Sequence, residues 1–319
     1  MSAISVTGGR PRTRSSSPSG GGASLERQRR RIFWPFVLPA LSAYVLFFIA
    51  PALFGVVASF SEWRGAGTEM RFNGIANYVR LFRDPYFLSA FANTMLIAFV
   101  CGVVAFALAF SFSVVVREMR ARVTIRSLLF IPYLISPIAT GVAFGLLLAP
   151  QGMINTILRS IGLGTLAIDW LGPDNQFRTI MAVFVWLNLG FFIILLMSGI
   201  DRIPPYFYEE AELAGANAFQ KFVHVTLPLS WDIVTIAVVL WLIGAIKVFD
   251  LIISFNGLAG VPAASSATLA IAQYVATVGG PVPAYQMGYG SAIGVFMVVL
   301  IGLLVVVVRR VMRRDALEF

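Results

Sequence analysis

The chain has 319 residues, 58% hydrophobic and only 12% charged, with a mean hydropathy of +0.84. Soluble domains carry about a quarter charged residues, so this inventory excludes an ordinary water-facing surface and predicts one bilayer-embedded domain. The net charge of +9 and pI near 10.2 do not point to nucleic acid, because the arginines stand at the ends of apolar segments rather than along a solvated face.

Residues 1–32 are rich in Ser, Gly, Pro and Arg and are expected to form a flexible tail, too poor in apolar groups to order itself. Arg27, Arg29, Arg30 and Arg31 precede an apolar run longer than the ~7–15 residues of a signal core, with no small-residue cleavage pattern after it, so a signal peptide is not expected. The remainder, 33–319, reads as an all-α membrane protein. Six stretches reach the ~20 residues needed to cross ~30 Å of hydrocarbon: 36–60, 89–116, 127–149, 178–200, 233–255 and 288–308. Several hold prolines, among them Pro39, Pro51, Pro132 and Pro137, which membrane helices tolerate where neighbours satisfy the freed backbone groups.

The basic residues set an expected orientation. One side holds seven Arg of the tail, four between Arg117 and Arg126, Arg202 with Lys221, and four between Arg309 and Arg314. The other holds only Arg64, Arg71, Arg80, Arg83, Arg159 and Arg178. The positive-inside rule then puts both termini and the loop 201–232 in the cytoplasm.

That loop opens on Pro204-Pro205, acceptable in a first helical turn, and continues with Glu209, Glu210 and Glu212, where negative charge suits the helix dipole. Ala211, Ala214, Gly215, Ala218, Phe219 and Phe222 recur at helical spacing, and Pro228 closes the segment. Two readings fit: a small-residue face for a partner, or a helix lying on the membrane with its Phe residues in lipid. Three acidic residues weigh against the second, since the cytoplasmic leaflet is negatively charged.

The loop resembles the EAA signature of bacterial ABC-importer permeases, with Glu209, Ala211, Gly215, Ala216, Leu227 and Pro228 matching and Glu210 and Ala214 departing from it. The resemblance extends over nearly all of the chain after residue 33 and points to the carbohydrate, maltose-like branch. It rests further on Phe72 through Phe82, Asn93-Thr94, Pro150 through Asn155, Phe249-Asp250 and Gly288 through Ile293. The usual Gly-Gly-Pro after the fifth helix is degraded here, within Gly257 through Pro262. The resemblance implies a type I ABC-importer permease fold of six helices. It also implies an ATPase-coupling helix carrying Glu209, Glu210, Ala211, Gly215, Ala216, Phe219 and Pro228, with Gly215 allowing a turn within it. The implied partners are a second, non-identical permease subunit, two ATPase subunits, an extracytoplasmic solute-binding protein and a carbohydrate substrate, in a bacterial inner membrane.

The chain itself is not expected to be an enzyme. Its two lysines, Lys221 and Lys247, follow Gln220 and Ile246, so no Gly-Lys phosphate loop exists; ATP and Mg²⁺ belong on the separate ATPase. No cofactor is expected here. One cysteine, Cys101, and one histidine, His224, exclude an internal disulfide and a Cys/His metal site. Charges within spans are costly and default to functional hypotheses. Lys247 and Asp250, three apart in the fifth span, fit either a local ion pair or a polar contact at a cavity mouth; ion coupling in a secondary transporter is the alternative from another class. Phe184, Leu187, Asn188 and Phe191 form one helical stripe; Trp241, Ala245 and Phe249 form a second. Such stripes serve helix packing or, as the resemblance implies, a sugar path of aromatic rings and amides.

Overall fold

A computed structural model describes residues 21–255, 260, 262–279 and 284–313; the side chains of residues 21–32 and 118 lie outside that description. Residues 1–20, the first part of the expected tail, and most of the degraded Gly257–Pro262 motif also lie outside it. The first helix nevertheless begins within the stretch expected to be a tail: α1 spans Gly21–Tyr44. Leu25, Glu26, Arg27 and Gln28 are strong helix formers, which composition counted over the whole tail conceals.

The chain divides into two units, Met1–Phe54 and Gly55–Phe319. The first consists of α1, a π turn over Val45–Ile49 and the start of α2 (Ala50–Ser59). Pro51 has no N–H for the carbonyl of Phe47, and the wider turn falls where that bond is missing. The second unit begins with a short antiparallel hairpin, β1 (Ser61–Glu62) and β2 (Arg71–Phe72), pairing Ser61 with Phe72. Helices α3 (Ala76–Leu81), α4 (Pro85–Leu96) and α5 (Gly102–Glu118) follow. Then come α6 (Arg122–Leu134), α7 (Pro137–Leu147), α8 (Met153–Ser160) and α9 (Gln176–Ile200). The loop region holds α10 (Tyr206–Leu213), α11 (Ala218–Lys221) and α12 (Leu227–Leu229). The chain ends through α13 (Trp231–Ile246), α14 (Asp250–Phe255), α15 (Leu269–Thr277) and α16 (Met287–Val311).

Four apolar helical runs are unbroken: Phe33–Ser59, Pro85–Arg117, Gln176–Ile200 and Met287–Val311. They correspond to the first, second, fourth and sixth predicted segments. The other two are bent. The segment expected at 127–149 turns by 89° between α6 and α7, because Pro137 disfavours a helical Ser136, which sits at φ −56°, ψ 131°. The segment expected at 233–255 is not one helix. It breaks after Ile246, and the freed carbonyl of Val248 accepts a 2.9 Å hydrogen bond from the buried hydroxyl of Thr268. Irregular backbone within an apolar bundle is tolerated on that condition. At its other end α13 meets the helical run Ala218–Leu229, which includes α11 and α12, at 77°.

Helix α9 is the centre of the second unit, packed against α5, α6 and α13. Its approach to α6 is backbone to backbone, since a Cβ at Gly190 would overlap the carbonyl of Leu129. Trp241 of α13 enters the same core, ringed by Phe106, Phe184 and Phe192 at centroid distances of 5.3–6.3 Å. Its indole N–H donates to Ala98 O at 2.9 Å. Gly102 leaves room for it: a Cβ there would stand 2.7 Å from the indole nitrogen.

Candidate functional site

The loop between α9 and α13 is built as a capped helix and a return. Pro205 is the N-cap of α10 and Glu209 lies in its first turn. At the other end Gly215 has φ +77°, Gly215 N donates to Glu212 O, and Ala216 N donates to Ala211 O, both at 2.9 Å. This 5→2, 6→1 pair is a Schellman stop, which requires a left-handed residue at the position Gly215 fills. Asn217 then opens α11 through a reciprocal capping box with Gln220. The expectation that Gly215 supplies the turn is met geometrically. The structure joins Glu209, Glu210, Ala211, Gly215, Ala216 and Phe219 in one helix–turn–helix, with Pro228 in α12 behind it.

The tip is apolar and open. Leu213 is 90% exposed and Phe219 73% exposed; sequence reasoning found the second and missed the first, whose signal was a Leu in the last turn beside the Gly. The base of the loop is tied to the bundle. Arg117, at the end of α5, stands 4.4 Å over the ring of Tyr208, and the Tyr208 hydroxyl meets Thr226 Oγ1 at 3.1 Å. Arg126 of α6 pairs with Asp201, the C-cap of α9, at 2.9 Å. Lys221 pairs with Glu212 at 2.6 Å across the return.

The predicted stripes separate on inspection. Phe184, Leu187, Trp241 and Ala245 are buried inside this chain, Phe184 and Trp241 in the aromatic core described above, and therefore pack helices together. Asn188 is half-buried and donates to Phe184 O at 2.8 Å; Phe191 is half-buried and stacks on Tyr133 at 4.8 Å. Lys247 and Asp250 are both exposed, and no ion pair links them among the described residues. The helix break between them removes the shared face that a continuous helix would have given. Phe249, in the break, packs on Tyr274 at 5.2 Å.

A cleft that sequence reasoning passed over lies one face around α9. It has a volume of 590 Å³ and is walled by Phe144, Trp170 and Trp186, with Asn175, Arg178 and Thr179 at its polar rim. Thr179, Ala182, Val183 and Trp186 supply the α9 wall at i, i+3, i+4, i+7. Asn155 and Thr179 hold the Trp170 segment, the first accepting from the Trp170 indole N–H at 2.9 Å and the second donating to Trp170 O at 2.8 Å.

The short motifs away from the loop prove to be joints at the opposite end of the bundle. Asn77 donates to Ser59 O and Ser61 O, both at 2.9 Å. Asn93 donates to Ala264 O and Ala267 O, while Thr94 Oγ1 accepts from Leu269 N at 3.0 Å. Gly288 lets α16 approach so closely that a Cβ would overlap Ser61 O.

A bundle of apolar spans, with a rigid capped loop at one end and an aromatic cleft within it, defines the subunit of a membrane translocator. Comparison with known proteins specifies the family. The chain is 31% identical to the protein named "Probable ABC transporter permease protein YurN" of Bacillus subtilis, over 86% of this chain and 94% of that one. It is 28% identical to the diacetylchitobiose uptake permease NgcF of Streptomyces coelicolor, covering 91% and 82% of the two chains. Against the trehalose/maltose permease MalF of Thermococcus litoralis it is 28% identical, covering 88% and 92%. Its fold is similar to that of a bacterial ABC transporter that imports alginate, with a TM-score of 0.76 at 20% identity over 92% of this chain and 99% of the other. No protein-family model matches it. The chain belongs to the ABC transporter permeases and is an integral membrane, non-catalytic translocator subunit.

Proposed function

We propose that this subunit carries a sugar or oligosaccharide through a six-span bundle of the type I importer fold, its spans being the four unbroken runs, the bent pair α6 and α7, and α13 with α14. The 201–232 loop and both termini face the cytoplasm. A binding protein delivers the cargo on the far side, a second and non-identical permease completes the path, and of two ATPase subunits one binds this loop. The observation that carries the coupling role is the Schellman-terminated α10 with Leu213 and Phe219 bare at its tip. Large apolar side chains bare on a loop that faces water rather than lipid support a partner site there. Arg117 and Tyr208 give that site a mechanical connection to α5.

ATP-driven closure of the ATPase pair pulls the two loops together, and the bundle turns its cavity from one side to the other. Asn188 and Phe191 line the sugar path in this reading, since rings cover the apolar C–H faces of sugars and amides bond their hydroxyls. Saccharide names among the relatives support the cargo class. The test is uptake of labelled oligosaccharide into proteoliposomes holding the permease pair, the ATPase and binding protein. Uptake is expected only with ATP on the ATPase side. Transport that continues without ATP and collapses with an ion gradient would replace this reading by a secondary transporter. A binding protein that holds no sugar would shift the cargo to another polar solute such as glycerol phosphate.

A further inference from the structure

At the end of the second unit opposite the coupling loop, the β1–β2 hairpin, α3 and the start of α16 enclose a polar cleft of 530 Å³. Its walls carry two guanidinium groups, Arg64 and Arg80, against one carboxylate, Glu62, with Trp63, Tyr285 and Tyr289 beside them. Neither arginine has a carboxylate partner among the described residues. The Asp84 carboxylate is already committed: Oδ1 accepts from Tyr86 N at 2.9 Å, capping α4, and Oδ2 accepts from the Tyr289 hydroxyl at 2.6 Å. Arg80 instead lies over the Tyr289 ring, 4.2 Å from its centroid.

The cleft is also held in shape. Gly288 N donates to Trp63 O at 3.0 Å, and Gln286 N donates to Ala276 O at 2.9 Å. Just before them Tyr285 keeps φ +46°, a left-handed conformation that costs a bulky residue energy and persists where the surroundings impose it, as at ligand clamps.

We propose that this cleft receives an acidic side chain from a loop of the binding protein, Arg64 and Arg80 being its receptor. The inference rests on the importer reading above and on its sidedness. Two guanidiniums with no carboxylate partner among the described residues, each able to fork onto a carboxylate, gain little from a neutral sugar. Glu62 adds a site for a basic neighbour on the same partner, which a phosphate headgroup would not use. The same tie explains how docking is felt. A carboxylate on Arg80 bears on Tyr289 in the first turn of α16, and through Asp84 on the N-terminus of α4, so one contact reaches two spans.

The experiment measures ATPase stimulation of the assembled importer in nanodiscs against the concentration of saccharide-loaded binding protein. The double variant R64E/R80E is expected to raise the half-saturating concentration about tenfold or more, and to flatten its rise with salt. R64K/R80K, which keeps the charge, should stay within about threefold. R71E is the control: Arg71 is on the same hairpin, outside the cleft and paired with Glu69, and should shift saturation by less than about twofold. Saturation of R64E/R80E at the wild-type concentration, or an equal shift in R71E, overturns the proposal. Dependence of half-saturation on anionic lipid, lost with R64E/R80E, would overturn it in favour of a headgroup site. Wild-type ATPase indifferent to any amount of loaded binding protein would overturn the importer reading itself, and this inference with it.

Discussion

Gly215 offers a perturbation whose size follows from its surroundings. Its φ of +77° is left-handed, yet a Cβ built there meets nothing within 4 Å. A side chain therefore introduces no clash, and the whole effect is conformational: about 1–2 kcal/mol for an L-residue held in that region, or a bias of roughly 5–30-fold against the Schellman stop. Valine should cost most, alanine less, and asparagine least, because asparagine enters the left-handed region more readily. In proteoliposomes, ATP-driven uptake should fall in the order Gly, Asn, Ala, Val, with Val at or below about a fifth of wild type. ATPase activity would then run without matching transport. Equal uptake by all four proteins would refute the reasoning, and so would asparagine as damaging as valine, since that pattern indicates a steric and not a backbone requirement.

Replacing Leu213 and Phe219 by aspartate should abolish co-purification with the ATPase while leaving membrane insertion intact, because both side chains stand clear of this chain's own core. Trp241→Leu removes a buried ring and orphans the Ala98 carbonyl; a loss of about 2–4 kcal/mol should appear as a lowered melting temperature in detergent. For Lys247→Met and Asp250→Asn, a double-mutant cycle in thermal stability should give an interaction energy below about 0.5 kcal/mol, while a continuous ion-paired helix would give more. Asn93→Leu should loosen the 264–267 segment, seen as faster amide exchange at Ala267 and Leu269, since it removes two hydrogen bonds to that segment.

The spans were legible in the sequence because lipid imposes a length and forbids charge; four of the six stretches are unbroken as expected. The breaks were harder. Pro137 sits where α6 turns into α7, yet Pro39 lies inside α1 without ending it, so proline alone does not say which helix bends. Nothing local marks Lys247 as a break. It depends on Thr268, about twenty residues away, accepting the role of capping Val248. The 201–232 loop was readable because caps are local chemistry: Gly215 and Asn217 act within a few residues. The two expected stripes were not, because a helix as nearly apolar as α9 carries too few polar residues to tell which ring faces inward. Phe184 and Trp186 are chemically alike in the sequence and lie on opposite sides of the matter in space, one in the core and one on the cleft.

The seating of Gly190 on Leu129 has a kinematic meaning. Two helices in contact through side chains slide by exchanging rotamers, but two meeting backbone on backbone have no such lubricant. Helices α6 and α9, latched a second time by Arg126 and Asp201, should therefore travel as one lever through the transport cycle. Spin labels on exposed Val123 and Ser198 would report a separation that stays constant between nucleotide-free and ATP-bound importer. The displacement that opens one side and shuts the other has to be taken up elsewhere, at Ser136, Ser230 and the break after Ile246, where the backbone already bends.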